Sequence, residues 1–450
     1  MFKNIVRVAM ANIANFGSSF IVGFILPSVL TVAAYGHYKE YTLYMSFVYL
    51  FNLGFNDGIY IKYGGKHIDN LDKDQIIGEY NFIRVFQFIM FIPVLLFGLS
   101  VNDPVLIVFS FSSFFVTLIT YHNNFLQATG RFHIFSNANI LKSIIYISAL
   151  LFGVFILKSD SYVTYIVLSA FSYFAIFLYY EYYFYKDFGF KPNFSLKGKL
   201  SLFQVGIFIL LANMSLTFVG NIGNWIVKFS FNIEDFAQYS FQNSILNVLL
   251  LIINSVGMVF FNVISKKEDY QMLRFTKKVC IFLGIFGGIG YFVFDILVNH
   301  FFPEYVESLS LLSITFIAIP YIMISKIIIA NLYKSRKNEQ KYLRDSILFA
   351  ILSFMFVLAL FLIFRNMIAI AAGTTIAYIV WFLYTSRVEY KFLSSNYREI
   401  MLLVSHIVFF FISANLMNFT TGLIMYLIYC ILVAVVFRKE LFKVYQYAMK

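Results

Sequence analysis

Apolar residues in this chain neither alternate nor follow the one-sided stripe of a soluble helix. They run in near-continuous stretches of about 20, the length at which a helix crosses a bilayer. Such runs predict helices near 10–33, 40–61, 82–101, 105–125, 134–157, 162–184 and 203–230. Seven more follow near 237–263, 279–299, 309–332, 346–364, 367–386, 400–417 and 421–437. The expected fold is all-α and polytopic, with about 14 membrane helices.

Composition agrees. The chain is 61% hydrophobic and 12% charged, with a mean hydropathy of +0.80. Soluble domains carry about 25% charged residues, so most of this surface must face lipid. The net charge of +12 would suggest nucleic acid in a soluble protein. Here the basic residues sit between apolar runs and read as topology, with no nucleic-acid partner. Of 34 Lys and Arg residues, 29 fall on the side of the termini, the others being Lys39, Lys158, Lys228, Lys326 and Arg365. The positive-inside rule puts both termini in the cytoplasm. No cleavable signal peptide is evident, and Cys280 and Cys430 lie inside apolar runs. The 58 Phe and 33 Tyr fit coding bias and interfacial belts, with an aromatic sugar platform as the alternative.

The chain resembles itself weakly at a shift of about 200 residues. Tyr38-Lys39-Glu40-Tyr41 aligns with Phe236-Ala237-Gln238-Tyr239, Asn15 with Asn213, Ser46 with Ser244 and Asn56 with Asn254. Leu126–Arg131 resembles Leu332–Lys337 at a slightly larger shift. Chance similarity among apolar helices is one reading. The other is two parallel six-helix lobes around a central cavity plus two extra C-terminal helices, a known transporter plan. That reading divides the chain into an N-lobe over 1–195, a C-lobe over 196–390, and helices 13 and 14 with a tail over 391–450.

Polar side chains are costly in lipid and normally face a bundle interior or water. Asn213, Thr217, Asn221, Asn224 and Lys228 recur at three- and four-residue spacing, which places them on one helix face. Gln238, Gln242, Asn243, Asn247 and Asn254 form a second stripe. Asn12 and Asn15 mark the first helix, and Asn52 and Asn56 the second. Interhelical hydrogen bonding explains a few such residues. Four striped helices point to a hydrated cavity whose amides suit sugar hydroxyls. Lys228, Lys142 and Lys326 are candidate phosphate contacts, although long side chains can snorkel. Asp57 and Asp295 are candidates for a coupling ion, and Asp57 is equally able to cap or pair at the cytoplasmic end of its helix. Pro27 and Pro320 are expected to kink their helices. The six histidines have no metal-ligand spacing and no Walker A sequence occurs, so neither metal, cofactor nor built-in ATP motor is expected.

Leu26-Pro27, Leu30-Thr31, Tyr35-Gly36-His37-Tyr38 and Leu53-Gly54-Phe55-Asn56-Asp57-Gly58 resemble the start of a polysaccharide flippase of the Wzx type. Leu126-Gln127-Ala128-Thr129-Gly130-Arg131-Phe132 resembles the turn between helices 4 and 5 of that group. It belongs to the multidrug/oligosaccharidyl-lipid/polysaccharide flippase superfamily. The resemblance implies a non-enzymatic transporter in the bacterial inner membrane. An undecaprenyl-pyrophosphate-linked oligosaccharide would cross by alternating access, for O-antigen or capsule synthesis. Membrane lipids, a polymerase and other surface-glycan assembly proteins are the partners this implies. Cavities in that family are often rich in Arg, whereas basic residues are sparse at depth here. The alternatives are a cation-coupled drug antiporter of the same superfamily and a membrane-embedded glycan polymerase or ligase.

Overall fold

The computed structural model describes residues 17–18, 21–192, 198–266, 269–336, 339–438 and 440. Helix dominates, and the described residues contain no strand. With no water in the bilayer core, a helix satisfies its own backbone and an open strand does not. Among the described residues, eleven helices are long and apolar enough to span a membrane, and a bent pair read as one span makes a twelfth. The two remaining predicted spans are the first, which lies partly outside the described residues, and the second, which is broken. The protein is a multi-pass membrane protein.

The chain divides into two compact units, Met1–Thr217 and Phe218–Lys450. In the first, α1 (21–29) and α2 (Val32–Met45) precede α3 (Phe55–Tyr63), α4 (Lys73–Ser100), α5 (Pro104–Ala128) and α6 (Phe132–Leu151). Then come α7 (Tyr162–Phe188) and α8 (Leu200–Ser230), within which the boundary falls. Polar and proline signals set the helix starts. Asp72 accepts from the amides of Asp74 and Gln75 to cap α4, and Asp103 caps α5 just before Pro104. The core joins Phe55, Tyr63, Tyr80, Leu118, Tyr121, Phe125 and Phe184, drawn from α3, α4, α5 and α7.

The second predicted span, 40–61, is not one helix. It comprises α2, a 3₁₀ turn at Val48–Asn52, and α3. Hydropathy is continuous across the break, but Leu53 and Gly54 take left-handed backbone (φ 48° and 88°). Glycine alone enters that conformation without steric cost. The freed groups find partners: Gly54 N donates to Asn52 Oδ1 at 2.8 Å, and Gln87 Nε2 donates to the Phe51 carbonyl at 2.9 Å. Gly58 then meets Gly206 of α8 at very close range. A Cβ on Gly58 would lie 2.2 Å from the Leu202 carbonyl oxygen, and one on Gly206 would lie 1.9 Å from that of Gly54. Gly54 and Gly58 form a small-xxx-small pair, the pattern that lets membrane helices touch backbone to backbone.

The second unit holds the rest of α8, then α9 (Ile233–Lys266), α10 (Tyr270–Gly287), α11 (Ile289–Phe301) and α12 (Ser308–Phe316). It continues through α13 (Ile319–Ile324), α14 (Ala330–Ser335), α15 (Glu339–Phe364), α16 (Met367–Tyr384), α17 (Tyr397–Asn415) and α18 (Phe419–Val436). The predicted kink at Pro320 is present: the span bends by 57° between Phe316 and Ile319, with Pro320 in the first turn beyond. The shortest expected turn, Arg365-Asn366, also forms. Arg365 takes φ 49°, and Asn366 Oδ1 accepts from Ala369 N at 2.8 Å.

Candidate functional site

The polar residues of the first unit act mainly as ties. Asn52 is buried and holds the turn that breaks the second span. Asn56, fully buried on α3, donates to the Thr117 carbonyl of α5 at 3.0 Å, and Asn124 Nδ2 returns a bond to the Asn56 carbonyl at 2.9 Å. Asp57 is half-buried in the first turn of α3. The break thus moves it from the expected helix end to a helix start, where the peptide dipole favours an anion. Lys142 is half-buried on α6, with Nζ 5.4 Å from the Tyr173 ring centre. Asn213 is exposed on α8, and its carbonyl accepts from the half-buried Thr217 hydroxyl at 3.0 Å. Asn12 and Asn15 lie outside the described residues.

In the second unit, α8 and α9 bring three predicted amides into one cluster, joined by Ser240, which the sequence reading did not single out. Asn224 Nδ2 donates to Asn221 Oδ1 at 3.2 Å, and Asn243 Nδ2 donates to Asn224 Oδ1 at 3.0 Å. The Ser240 hydroxyl lies 3.5 Å from the same oxygen. Asn221 and Asn243 are half-buried, whereas Asn224 is 9% exposed. Lys228 is half-buried one turn along α8, with Nζ 5.1 Å from the Phe229 ring centre. Asn247 is exposed and Asn254 half-buried farther along α9.

Other members of the α9 stripe are consumed by packing. Gln242 is fully buried and donates to the Thr315 hydroxyl of α12 at 2.9 Å. Gln238 donates to the Glu304 carbonyl at 2.6 Å and accepts from Ser308 N at 3.2 Å. Lys326 is half-buried in a π-helical turn, Ser325–Ile329. Asp295 accepts from Asn299 Nδ2 at 2.9 Å, one turn along α11.

Sequence reasoning missed a set of buried ion pairs. Glu79 of α4 is 1% exposed and binds Lys62, Lys199 (3.6 Å) and the Tyr63 hydroxyl (2.8 Å). Arg131 pairs with Asp187, and Lys277 with Glu399 at 2.6 Å. Asp345 binds the Tyr333 hydroxyl at 2.6 Å and Arg344 at 2.8 Å. Basic residues counted as a topological signal thus also neutralise acids drawn in from the next helix end. Apart from the adjacent Arg344 and Asp345, the paired charges are well separated in sequence, and no local spacing announces them.

Long apolar helices with one broken and one kinked span define a polytopic helical membrane protein. The chain belongs to the polysaccharide biosynthesis protein family, whose model matches residues 1–268. Among solved structures it is similar to the lipid II flippase MurJ in an inward closed conformation. That match has 13% identity, covers 98% of this chain and 100% of that one, and gives a TM-score of 0.65. It is similar as well to an inward-facing multidrug resistance transporter of the MATE family in the MOP superfamily (13% identity, 86% and 98% coverage, TM-score 0.60). A MOP superfamily transporter from Pyrococcus furiosus gives 14% identity, 87% and 97% coverage and a TM-score of 0.54. No curated protein sequence matches. At these identities the structural likenesses establish the fold, while the family follows from the sequence match.

Proposed function

We propose that this protein flips an undecaprenyl-pyrophosphate-linked oligosaccharide repeat unit across the bacterial cytoplasmic membrane for O-antigen or capsule assembly. The observation that carries the reading is the family match: a polysaccharide biosynthesis family in a fold whose similar structures include a lipid II flippase. Transport proceeds by alternating access of two six-helix lobes, 1–195 and 196–390, with the last two helices and tail as an addition. Both termini face the cytoplasm, as the distribution of Lys and Arg supports. The protein moves its substrate without changing a covalent bond.

The α8–α9 cluster is the favoured sugar contact. Asn221, Asn224 and Asn243 offer donors and acceptors together, which suits sugar hydroxyls. Lys228, one turn along the same helix, is the candidate to meet a pyrophosphate or an acidic sugar as a point charge. The broad Arg-lined cavity usual in Wzx-type proteins has no counterpart in the candidate set, so recognition here rests on amides with few cations.

The test is gene deletion followed by extraction of lipid-linked oligosaccharides and staining of surface glycan. Complete repeat units trapped on the inner leaflet with loss of surface polymer are the expected result. The fold shared with MATE transporters supports drug efflux as the second reading. Normal surface glycan with altered drug sensitivity would establish that one instead.

A further inference from the structure

Four carboxylates among the described residues are less than a tenth exposed: Glu79, Glu181, Asp345 and Glu399. Three have a Lys or Arg nitrogen within an ion-pair distance, as described above. Glu181 differs. Its only basic partner is a histidine, with His122 Nε2 3.2 Å from Glu181 Oε1. The Tyr80 hydroxyl donates to the same oxygen, and the Tyr185 hydroxyl also bonds the carboxyl group.

The three central residues come from three helices at one depth. Tyr80 lies seven residues into α4, His122 six before the end of α5, and Glu181 seven before the end of α7. At a helical rise of about 1.5 Å per residue, all are about 10 Å inside their helix ends. Aromatic rings close the site: Tyr80 lies 4.7 Å from the His122 ring and 4.5 Å from Phe184, and His122 stacks on Tyr180 at 5.4 Å. Tyr121 packs on Tyr80 at 5.0 Å from the α5 side. Arg84 of α4, with its guanidinium 5.5 Å from the Tyr80 ring centre, donates to the Tyr185 hydroxyl at 2.5 Å and forms no ion pair with Glu181. Glu79, the next acid on α4, is already matched by two lysines.

A buried carboxylate must gain a cation or a proton, because an uncompensated charge in apolar surroundings is too costly. We propose that Glu181 and His122 form a proton-binding site in the first unit, with the proton as the coupling ion. Without it, the pair is a carboxylate accepting from the N–H of a neutral imidazole. One added proton, taken up by the Glu181 carboxyl while the imidazole stays neutral, makes the pair neutral overall. No other atom is exchanged. The half-buried Arg84 and Tyr185 form the hydrogen-bonded approach from the helix ends. This assignment rests on the transport reading and replaces Asp57 and Asp295 as the leading candidates for the ion.

The experiment is pH-difference infrared spectroscopy on the full-length protein in liposomes, in the absence of substrate, beside a complementation assay of surface glycan. The expected spectrum contains a protonated-carboxyl band that titrates. It is lost in Glu181→Gln, retained in Asp57→Asn and Asp295→Asn, and displaced along the pH axis in His122→Asn and Tyr80→Phe. Glu181→Gln preserves the side chain's shape and an oxygen for Tyr80, and at normal protein level it is expected to export no more glycan than the deletion strain. A band unaffected by Glu181→Gln overturns the site. A lost band with undiminished export overturns its coupling role. The spectrum needs no substrate, so failure of the flippase reading would show separately, as unchanged surface glycan in the deletion strain.

Discussion

Gly206→Ala is the sharpest probe of how the first unit is assembled. The added Cβ would stand 1.9 Å from the Gly54 carbonyl oxygen and 2.5 Å from Gly58 N, both of them backbone atoms that no rotamer change can move. An ordinary contact begins at 3.4 Å, so α8 must retreat from α3 by about 1.5 Å along that line. The retreat loosens the packing of Phe203 on Phe55, at 5.2 Å, and on Phe86, at 5.5 Å. It also stretches the Lys199–Glu79 pair, already 3.6 Å long, beyond ion-pair range. Overpacking of this kind costs about 1–3 kcal/mol, and the weakened pair adds to it. Thermal unfolding of the purified protein in detergent should show a clear fall in midpoint. Gly220→Ala is the control, since a Cβ there meets nothing within 4 Å on the same helix. It should be neutral or slightly stabilising, by about 0.4–1 kcal/mol, through lower unfolded-state entropy. Equal midpoints for Gly206→Ala and the wild type would refute the backbone-to-backbone crossing.

Three further outcomes are expected. Glu79→Ala leaves Lys62 and Lys199 without their buried counter-charge and should destabilise by about 3–5 kcal/mol, read as a lower unfolding midpoint, with Glu79→Gln intermediate. Asn366→Ala removes the cap on α16 at a cost of about 1 kcal/mol, and faster hydrogen exchange at the Ala369 amide would report it. Lys228→Ala and Asn221→Ala should abolish surface glycan at normal protein level, and unchanged glycan in both would remove the α8–α9 cluster from the substrate path.

The helical layout was legible because bilayer thickness imposes one length on every span. Twelve of the thirteen predicted runs whose residues are described coincide with helical spans, the exception being the broken 40–61, and even the two-residue turn at Arg365-Asn366 stands where the apolar runs divide. Three interhelical turns close with residues other than glycine in left-handed backbone, Asn102 at φ 53°, Lys158 at 47° and Arg365 at 49°. Hydropathy could not show the break at Leu53-Gly54, because its signal is a backbone conformation and the side chains around it stay apolar. Asn52 belongs to that break: the amide expected to line a cavity is occupied in shaping the turn.

The candidate site was less legible for a related reason. Helical spacing tells which face an amide occupies, but not who takes its hydrogen bonds. Asn56 and Gln242 lie on the expected stripes, yet both are fully buried and tied to a neighbouring helix. A side chain committed in this way must break an interhelical bond before it can meet a sugar, and that loss offsets the new contact. Asn221 and Asn243 remain half-buried, and Asn221 accepts from Asn224 on its own helix, a bond that can be traded without parting two helices, whereas Asn243 donates across to α8. The same distinction separates the acids. Glu79 is locked by two lysines, whereas Glu181 is held by a histidine and two tyrosines, groups that share a proton rather than cancel a charge. Function in this fold is therefore best sought among polar groups whose partners can be traded.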